Sequence, residues 1–147
     1  MDILSKFPER LSELMFEKGL TVKELSAQSG IGANTLYRYL NGERLPAFNY
    51  FVKLLEFFNC SADFLLGRIE FSPENPFFYP VPPFQKRFRQ VLDEYKMSQY
   101  RLHQITHFSY DNFNSWLKGK SSPYADNLIK LATAFGCSVD YLIGRVR

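Results

Sequence analysis

The sequence has few cysteines, no long apolar run and little net charge. Its two cysteines, Cys60 and Cys137, are far apart in apolar contexts, which favours buried reduced thiols over the alternative, a disulfide. No run of roughly 18 apolar residues occurs, so no membrane-spanning helix is predicted. The first ten residues carry charges and lack the apolar stretch of a secretory signal. We therefore expect a cytoplasmic protein with no membrane partner.

Signatures of catalysis and of metal binding are equally sparse. His103 and His107 are spaced to share a helix face, but no cluster of Cys, Asp or Glu accompanies them, so no metal site is predicted. Residues 119–121 read GKS like the end of a phosphate-binding loop, yet Asn114 stands where that loop requires a glycine. No serine-elbow, catalytic-cysteine or paired-carboxylate pattern occurs. We expect that the protein is not an enzyme and that it binds neither a cofactor nor a small-molecule ligand.

The formal net charge is only +3, which is too small to indicate nucleic-acid binding by itself. The charge is unevenly distributed, however. Residues 1–70 contain 8 basic and 9 acidic side chains, whereas residues 84–147 contain 10 basic and 5 acidic ones. The basic surplus therefore belongs to the second half of the chain.

What the sequence does contain is an internal repeat. Residues 7–70 align with residues 84–147 at a constant offset of 77 without gaps, and 16 of the 64 positions are identical. The identities include glycine, proline and cysteine, which chance would not preserve together at one offset. Two copies of one fold are predicted, in domains at residues 1–69 and 84–147 that are joined by a linker at residues 70–83.

The linker is rich in proline and in aromatic residues, with the sequence FSPENPFFYPVPP at residues 71–83. Prolines break helices and favour extended segments, so a semi-rigid linker is predicted. Phe77, Phe78 and Tyr79 are too apolar for a freely solvated tether. We expect them to pack on this chain's own domains rather than on a partner.

Each copy reads as five short helices, and no segment alternates as a strand would, so an all-α fold is predicted. In the first copy an amphipathic helix ends near Gly19, and Thr21 caps a second helix with Glu24 in a capping box. Gly30 suits the left-handed position after that helix. The other helices of this copy are predicted at residues 32–40, 46–58 and 61–67.

The centre of each copy is a helix, a tight turn and a second helix, followed by a glycine and then a proline. These segments, TVKELSAQSGIGANTLYRYLNGERLP and SQYRLHQITHFSYDNFNSWLKGKSSP, and the endings CSADFLLGR and CSVDYLIGR, resemble the lambda repressor and Cro-like (XRE) family of helix-turn-helix domains. The resemblance covers both copies. It implies two tandem five-helix domains and a transcriptional regulator, repressor-like, that binds double-stranded DNA sequence-specifically without a cofactor.

The resemblance also implies a close crossing of the second and third helices, which requires a small residue. Ala27 is expected to fill that place in the first copy. In the second copy Gln104 replaces Ala27 and His107 replaces Gly30. We expect Gln104 to widen the crossing, and we expect His107 to tolerate the positive φ of the turn.

In this family the start and outer face of the third helix meet base edges in the major groove. Carried over by position, Asn34 would pair with adenine, Arg38 with guanine, and Ala33 would touch a thymine methyl group. The base-contacting positions implied by the resemblance are Ala33, Asn34, Tyr37 and Arg38 in the first copy and Tyr110, Asp111, Asn114 and Ser115 in the second.

Phosphate contacts in the family come from the start of the second helix and the loop after the third, and they position the protein without reading sequence. The implied phosphate-contacting positions are Thr21, Lys23, Thr35 and Arg44 in the first copy and Ser98, Gln99, Asn112, Lys118 and Lys120 in the second.

Two questions of assembly stay open in the sequence. The alternative to DNA binding is a protein-protein interaction or dimerisation module that retains the helix-turn-helix fold. For DNA binding, a homodimer and an intramolecular pseudo-dimer are both expected arrangements, since 13 linker residues extended at about 3.1 Å each reach on the order of 40 Å, against half-sites roughly 34 Å apart. The family pattern places five aromatic residues in the core: Phe57, Phe58, Phe64, Phe135 and Tyr141. Besides the aromatic residues of the linker, Phe48 and Tyr50 are candidates for an interface.

Overall fold

The computed structural model describes residues 3–147, with side chains described from Lys6 onward. Within those residues every regular element is a helix, and there is no strand. The chain divides into two compact units, Met1–Pro76 (unit 1) and Phe77–Arg147 (unit 2). The predicted all-α class with five helices in each copy is confirmed.

Unit 1 closely follows the helix boundaries that its capping residues predict. The Thr21 hydroxyl accepts a hydrogen bond from the Glu24 backbone N–H, completing the capping box, and Gly30 has a φ of 80°. The fourth helix starts at Phe48, two residues later than predicted, because Ala47 is extended with a ψ of 160°. The helices of unit 1 are α1 Ile3–Lys18, α2 Val22–Ser29, α3 Ala33–Leu40, α4 Phe48–Phe58 and α5 Ala62–Leu65.

The core of unit 1 fixes α3 by its inner face. Leu36 and Tyr39 of α3 are buried, and the Tyr39 ring meets the Phe7 ring of α1 edge-on at 5.7 Å between centroids. Phe48 is 6% exposed and belongs to this core, so its prediction as an interface residue was wrong. With the inner face of α3 held in this way, Asn34, Tyr37 and Arg38 are exposed on its outer face.

Unit 2 repeats this arrangement. Its last four helices begin and end 77 residues after their counterparts in unit 1, as the repeat predicts. Its core contains a cluster in which the Phe88, Phe113 and Trp116 rings lie 5.9 to 6.3 Å apart. The helices of unit 2 are α6 Phe84–Glu94, α7 Gln99–Thr106, α8 Tyr110–Leu117, α9 Ala125–Phe135 and α10 Val139–Leu142.

Each unit ends on an ion pair at equivalent positions. Arg68 Nη1 lies 2.7 Å from Asp63 Oδ1, and Arg145 Nη1 lies 3.0 Å from Asp140 Oδ1. The Arg145 side chain is only 2% exposed, so its charge depends on its partners for solvation. The repeated Asp and Arg therefore close both copies in the same way.

The predicted linker is held at both ends. In unit 1 the Ser61 N–H donates to the Ser72 hydroxyl at 3.2 Å, and the Asn59 amide donates to the Pro76 carbonyl at 3.4 Å. Residues up to Pro76 are therefore tied to unit 1.

The other end of the linker forms an N-terminal arm of unit 2. The Tyr79 N–H donates to the Arg145 carbonyl at 2.8 Å, and the Arg145 guanidinium lies 3.8 Å from the Phe78 ring centroid. Phe78 and Tyr79 thus pack on their own domain, as predicted. Phe77 remains 75% exposed, so the same prediction was wrong for this residue.

No disulfide joins the two cysteines. Cys60 is buried, as predicted, whereas Cys137 is only half-buried. None of the helices in residues 3–147 has the length and apolar character needed to cross a membrane.

Candidate nucleic-acid interface

The crossing of α2 and α3 is formed by a stripe of inward residues on α2. Leu25 is fully buried, and Val22, Ser26 and Ser29 are half-buried at helical spacing from it. Ala27 lies outside this stripe and is exposed, so its predicted role at the crossing was wrong by one residue. Ser26 is the small residue at this place.

The same correction applies in unit 2, where the equivalent of Ser26 is His103. Gln104 is exposed, and its amide donates to the Tyr100 hydroxyl at 2.9 Å, so it does not widen the crossing. His107 has a φ of 63° at the end of α7, as expected for the turn position.

His103 contacts the first residue of α8. Its ring stacks on Tyr110 with 4.6 Å between centroids and an interplanar angle of 26°. Its Nδ1 lies 2.7 Å from the Phe108 carbonyl oxygen, and since a carbonyl only accepts, Nδ1 bears the proton. The sequence did not indicate this contact, although the repeat aligns His103 with Ser26. His103 therefore fixes the position of Tyr110, a predicted base-contacting residue.

The predicted base-contacting residues of unit 1 lie together on the outer face of α3. Asn34, Tyr37 and Arg38 are exposed, with Tyr37 at 54%, and Ala33 is half-buried. Their spacing puts them opposite the buried Leu36. An amide, a phenol and a guanidinium thus project from one helix surface, and these groups can hydrogen-bond base edges.

The corresponding face of α8 has a different chemistry. Tyr110, Asp111 and Asn114 are exposed, whereas Ser115 is half-buried and its hydroxyl lies 2.6 Å from the Ser121 hydroxyl. Asp111 is in the first turn of α8, where the helix dipole stabilises a carboxylate. This face offers no cation to a base, and its carboxylate would repel a nearby phosphate.

The two N-cap hydroxyls among the predicted phosphate contacts already accept backbone hydrogen bonds. Thr21 accepts from the Glu24 N–H, while the Glu24 carboxylate accepts from the Thr21 N–H, both at 3.1 Å. The backbone hydrogen bond to the carboxylate is the main cause that lowers the pKa of Glu24. The Ser98 hydroxyl accepts from the Arg101 N–H at 3.1 Å. These residues order the starts of α2 and α7, where helix N–H groups point outward.

The remaining predicted phosphate contacts differ in exposure. Lys23 and Arg44 of unit 1 and Asn112 of unit 2 are exposed, whereas Thr35 and Gln99 are half-buried. Lys118 and Lys120 lie in the loop after α8, and both are exposed. The Lys120 N–H donates to the Ser115 carbonyl at 2.9 Å, which holds this basic loop against the end of the helix.

No group of three or more His, Cys, Asp or Glu side chains that could hold a metal ion occurs in the described part of the chain. Of the two histidines, His103 in α7 bonds to a carbonyl and stacks on Tyr110, whereas His107 lies beyond the end of α7 as its C-cap. The interface chemistry is therefore that of hydrogen-bonding and cationic side chains.

Comparison with known proteins gives matches in both units. Residues 11–65 match the helix-turn-helix family, and residues 87–146 match the family described as Cro/C1-type HTH DNA-binding domain. The HTH-type transcriptional regulator ImmR of Bacillus subtilis (strain 168) is 37% identical over 67 residues, which are 46% of this chain and 53% of that protein. The chain thus spans about half the length of this curated relative. No solved structure matches the chain.

Proposed function

Because the chain is a tandem helix-turn-helix protein of the lambda repressor and Cro-like family, we propose that it is a transcriptional regulator that reads duplex DNA in the major groove. The two family matches together cover more than half of the chain, one in each unit. The similarity to a protein named as a transcriptional regulator supports the same role. The proposal also assigns base contacts to particular residues and gives the two units different roles in DNA binding.

The observation that carries the proposal is the outer face of α3. Arg38 and Asn34 are exposed there, and α3 is fixed beneath them by Leu36 in the core. A guanidinium can make two hydrogen bonds to one guanine, and a carboxamide can make two to one adenine. Ala33 would contact a thymine methyl group beside them. Unit 1 is thus equipped to discriminate bases.

Unit 2 would contribute mainly contacts to the DNA backbone. On its reading face, the outer face of α8, Asp111 lies in the first turn and Ser115 is half-buried. Lys118 and Lys120 are exposed in the loop that follows. Lysine binds phosphate as a point charge without reading sequence. Tyr110 and Asn114 remain the base-contacting candidates of this unit. Since the two reading faces differ, the DNA sequences preferred by the two units should differ as well.

Selection from a random-sequence duplex library with the full chain tests this proposal. Enrichment of a site with two unlike halves is the expected result. Recovery of a perfect palindrome would contradict unlike half-sites. Failure to enrich any sequence would contradict base reading and would favour the protein-protein interaction alternative.

A further inference from the structure

The outer face of α6 in unit 2 carries an exposed basic pair, Lys86 and Arg89. Both side chains line a surface cleft together with one carboxylate, Asp93, and with Leu117, the last residue of α8. Arg89 Nη2 donates to the Leu117 carbonyl at 3.4 Å. In the described part of the chain neither residue belongs to an ion pair, since the salt bridges there are Asp63–Arg68 and Asp140–Arg145. The pair is therefore available to an anion.

This basic pair is continuous with the loop after α8. Gly119 of that loop has a φ of 74°, and a Cβ added there would overlap the side-chain amide of Gln85, the residue next to Lys86. The loop thus lies directly against the start of α6. Lys86, Arg89, Lys118 and Lys120 therefore form one surface, here called the basic face.

The four equivalent positions of unit 1 have the opposite net charge, although Arg44, aligned with Ser121, places one cation in the equivalent loop. At the offset of 77, two of the four basic residues correspond to glutamates and two to neutral residues. The basic face thus carries four positive charges, where unit 1 carries two negative charges. The correspondences are Lys86 with Glu9, Arg89 with Ser12, Lys118 with Asn41, and Lys120 with Glu43.

We propose that Lys86 and Arg89 extend the DNA-backbone contact of unit 2, so that the basic face anchors the protein on phosphates while unit 1 supplies most of the sequence reading. This inference rests on the proposed function. Its support is the continuity of Lys86 and Arg89 with the loop that follows the reading helix, together with charge complementarity to phosphate. The basic face adds affinity that falls steeply with salt and carries no base information.

The test is the salt dependence of binding to a duplex of arbitrary sequence, measured by fluorescence anisotropy with the full chain. Each phosphate contact contributes about 0.9 to the slope of log K against log salt concentration. The double variant Lys86→Gln/Arg89→Gln should lower the slope by about 1.8, which corresponds to roughly a 60-fold loss of affinity at about 0.1 M salt if counterion release is the whole of each contact.

A matched control removes two positive charges from elsewhere in unit 2. Lys96→Asn/Arg147→Gln has the same net charge as the test variant, and Asn suits the φ of 52° at Lys96. Lys96 follows α6 and does not line the cleft, and Arg147 lies over the Tyr79 ring at 3.9 Å. This control should leave the slope almost unchanged.

A transplanted pair gives the complementary gain. Glu9→Lys/Ser12→Arg places the pair at the equivalent exposed positions of unit 1 and should strengthen binding and steepen the slope. An equal loss in test and control variants, or no loss in the test variant, would overturn the inference while leaving DNA binding intact. Absence of duplex binding by the unmodified chain at low salt would instead overturn the proposed function and the inference with it.

Discussion

Replacing Phe78 with alanine should destabilise unit 2 although this residue lies in the segment predicted to be a linker. The Arg145 guanidinium, 2% exposed, sits 3.8 Å from the Phe78 ring centroid. Cation–π contacts contribute about 2 kcal/mol or more when desolvated and about 0.5 to 1 kcal/mol when exposed. Loss of half-buried apolar area adds about 1 kcal/mol. We expect Phe78→Ala to lower the free energy of unfolding of unit 2 by about 2 to 3 kcal/mol.

Trp116 makes this change measurable in the full chain. It is the only tryptophan of the sequence and is 4% exposed in the core of unit 2, so its fluorescence reports on unit 2 alone. Urea titration followed at this residue gives the free energy of unfolding, and thermal unfolding should show a midpoint lowered by about 10 to 20 °C for a domain of this size.

The neighbouring residue provides the control. Phe77 is 75% exposed, so Phe77→Ala should change the free energy of unfolding by less than about 0.5 kcal/mol. Phe78→Leu keeps most of the apolar area and loses the ring, so its cost should fall between the two. Equal stabilities of the Phe77→Ala and Phe78→Ala variants would refute the reasoning that the arm is part of unit 2.

Three further predictions concern helix ends in unit 1. Thr21→Ala removes the N-cap of α2 and should cost about 1 kcal/mol in urea titration followed by circular dichroism at neutral pH. The lowered pKa of Glu24 means that its capping contribution to stability is present above the ordinary carboxyl pKa and is lost as pH falls through the lowered value. The difference in unfolding free energy between wild type and Glu24→Gln should therefore close on acidification. A difference that widens would contradict the assignment of Glu24 to the capping box. Gly67→Ala should cost more than the about 1 to 2 kcal/mol expected for Gly19→Ala, because both glycines have positive φ but only at Gly67 would a Cβ overlap Lys6. Equal costs in the same titration would show that the overlap relaxes freely.

The helices were predictable because their ends depend on local chemistry. Thr21 and Gly30 bound α2 by satisfying backbone groups within a few residues, and the sequence shows such signals directly. The gapless repeat then transfers each boundary to unit 2, where even His107 takes the left-handed position of Gly30. Local signals and the repeat together therefore determine the fold class.

The errors arose where tertiary packing decides between neighbouring residues. Whether Ser26 or Ala27 faces α3 depends on the rotation of α2, and both are small enough for the crossing. The start of α4 depends on the extended backbone of Ala47, which a nearby proline does not specify. For residues 71–83, proline content indicates an extended segment, whereas the particular contact of Phe78 with Arg145 depends on tertiary packing.

The sequence could predict the exposed face of α3 in the candidate site, because exposed and buried residues of a helix follow its 3.6-residue period. It could not show that Ser115 is bonded to Ser121 or that His103 stacks on Tyr110. Both contacts join residues of different local segments. The reading face of unit 2 is therefore more committed to internal contacts than its sequence implied.

The central claim, that unit 1 reads bases while unit 2 anchors on phosphate, is tested most directly by comparing Arg38→Ala with Lys120→Ala. Both side chains are exposed, and binding isotherms are measured for a selected and a scrambled duplex at several salt concentrations. Arg38→Ala should lose about 1 to 3 kcal/mol on the selected duplex and much less on the scrambled one. Lys120→Ala should weaken both equally and lower the salt slope by about one. Equal losses on both duplexes for Arg38→Ala, or no loss for either variant, would contradict the claim.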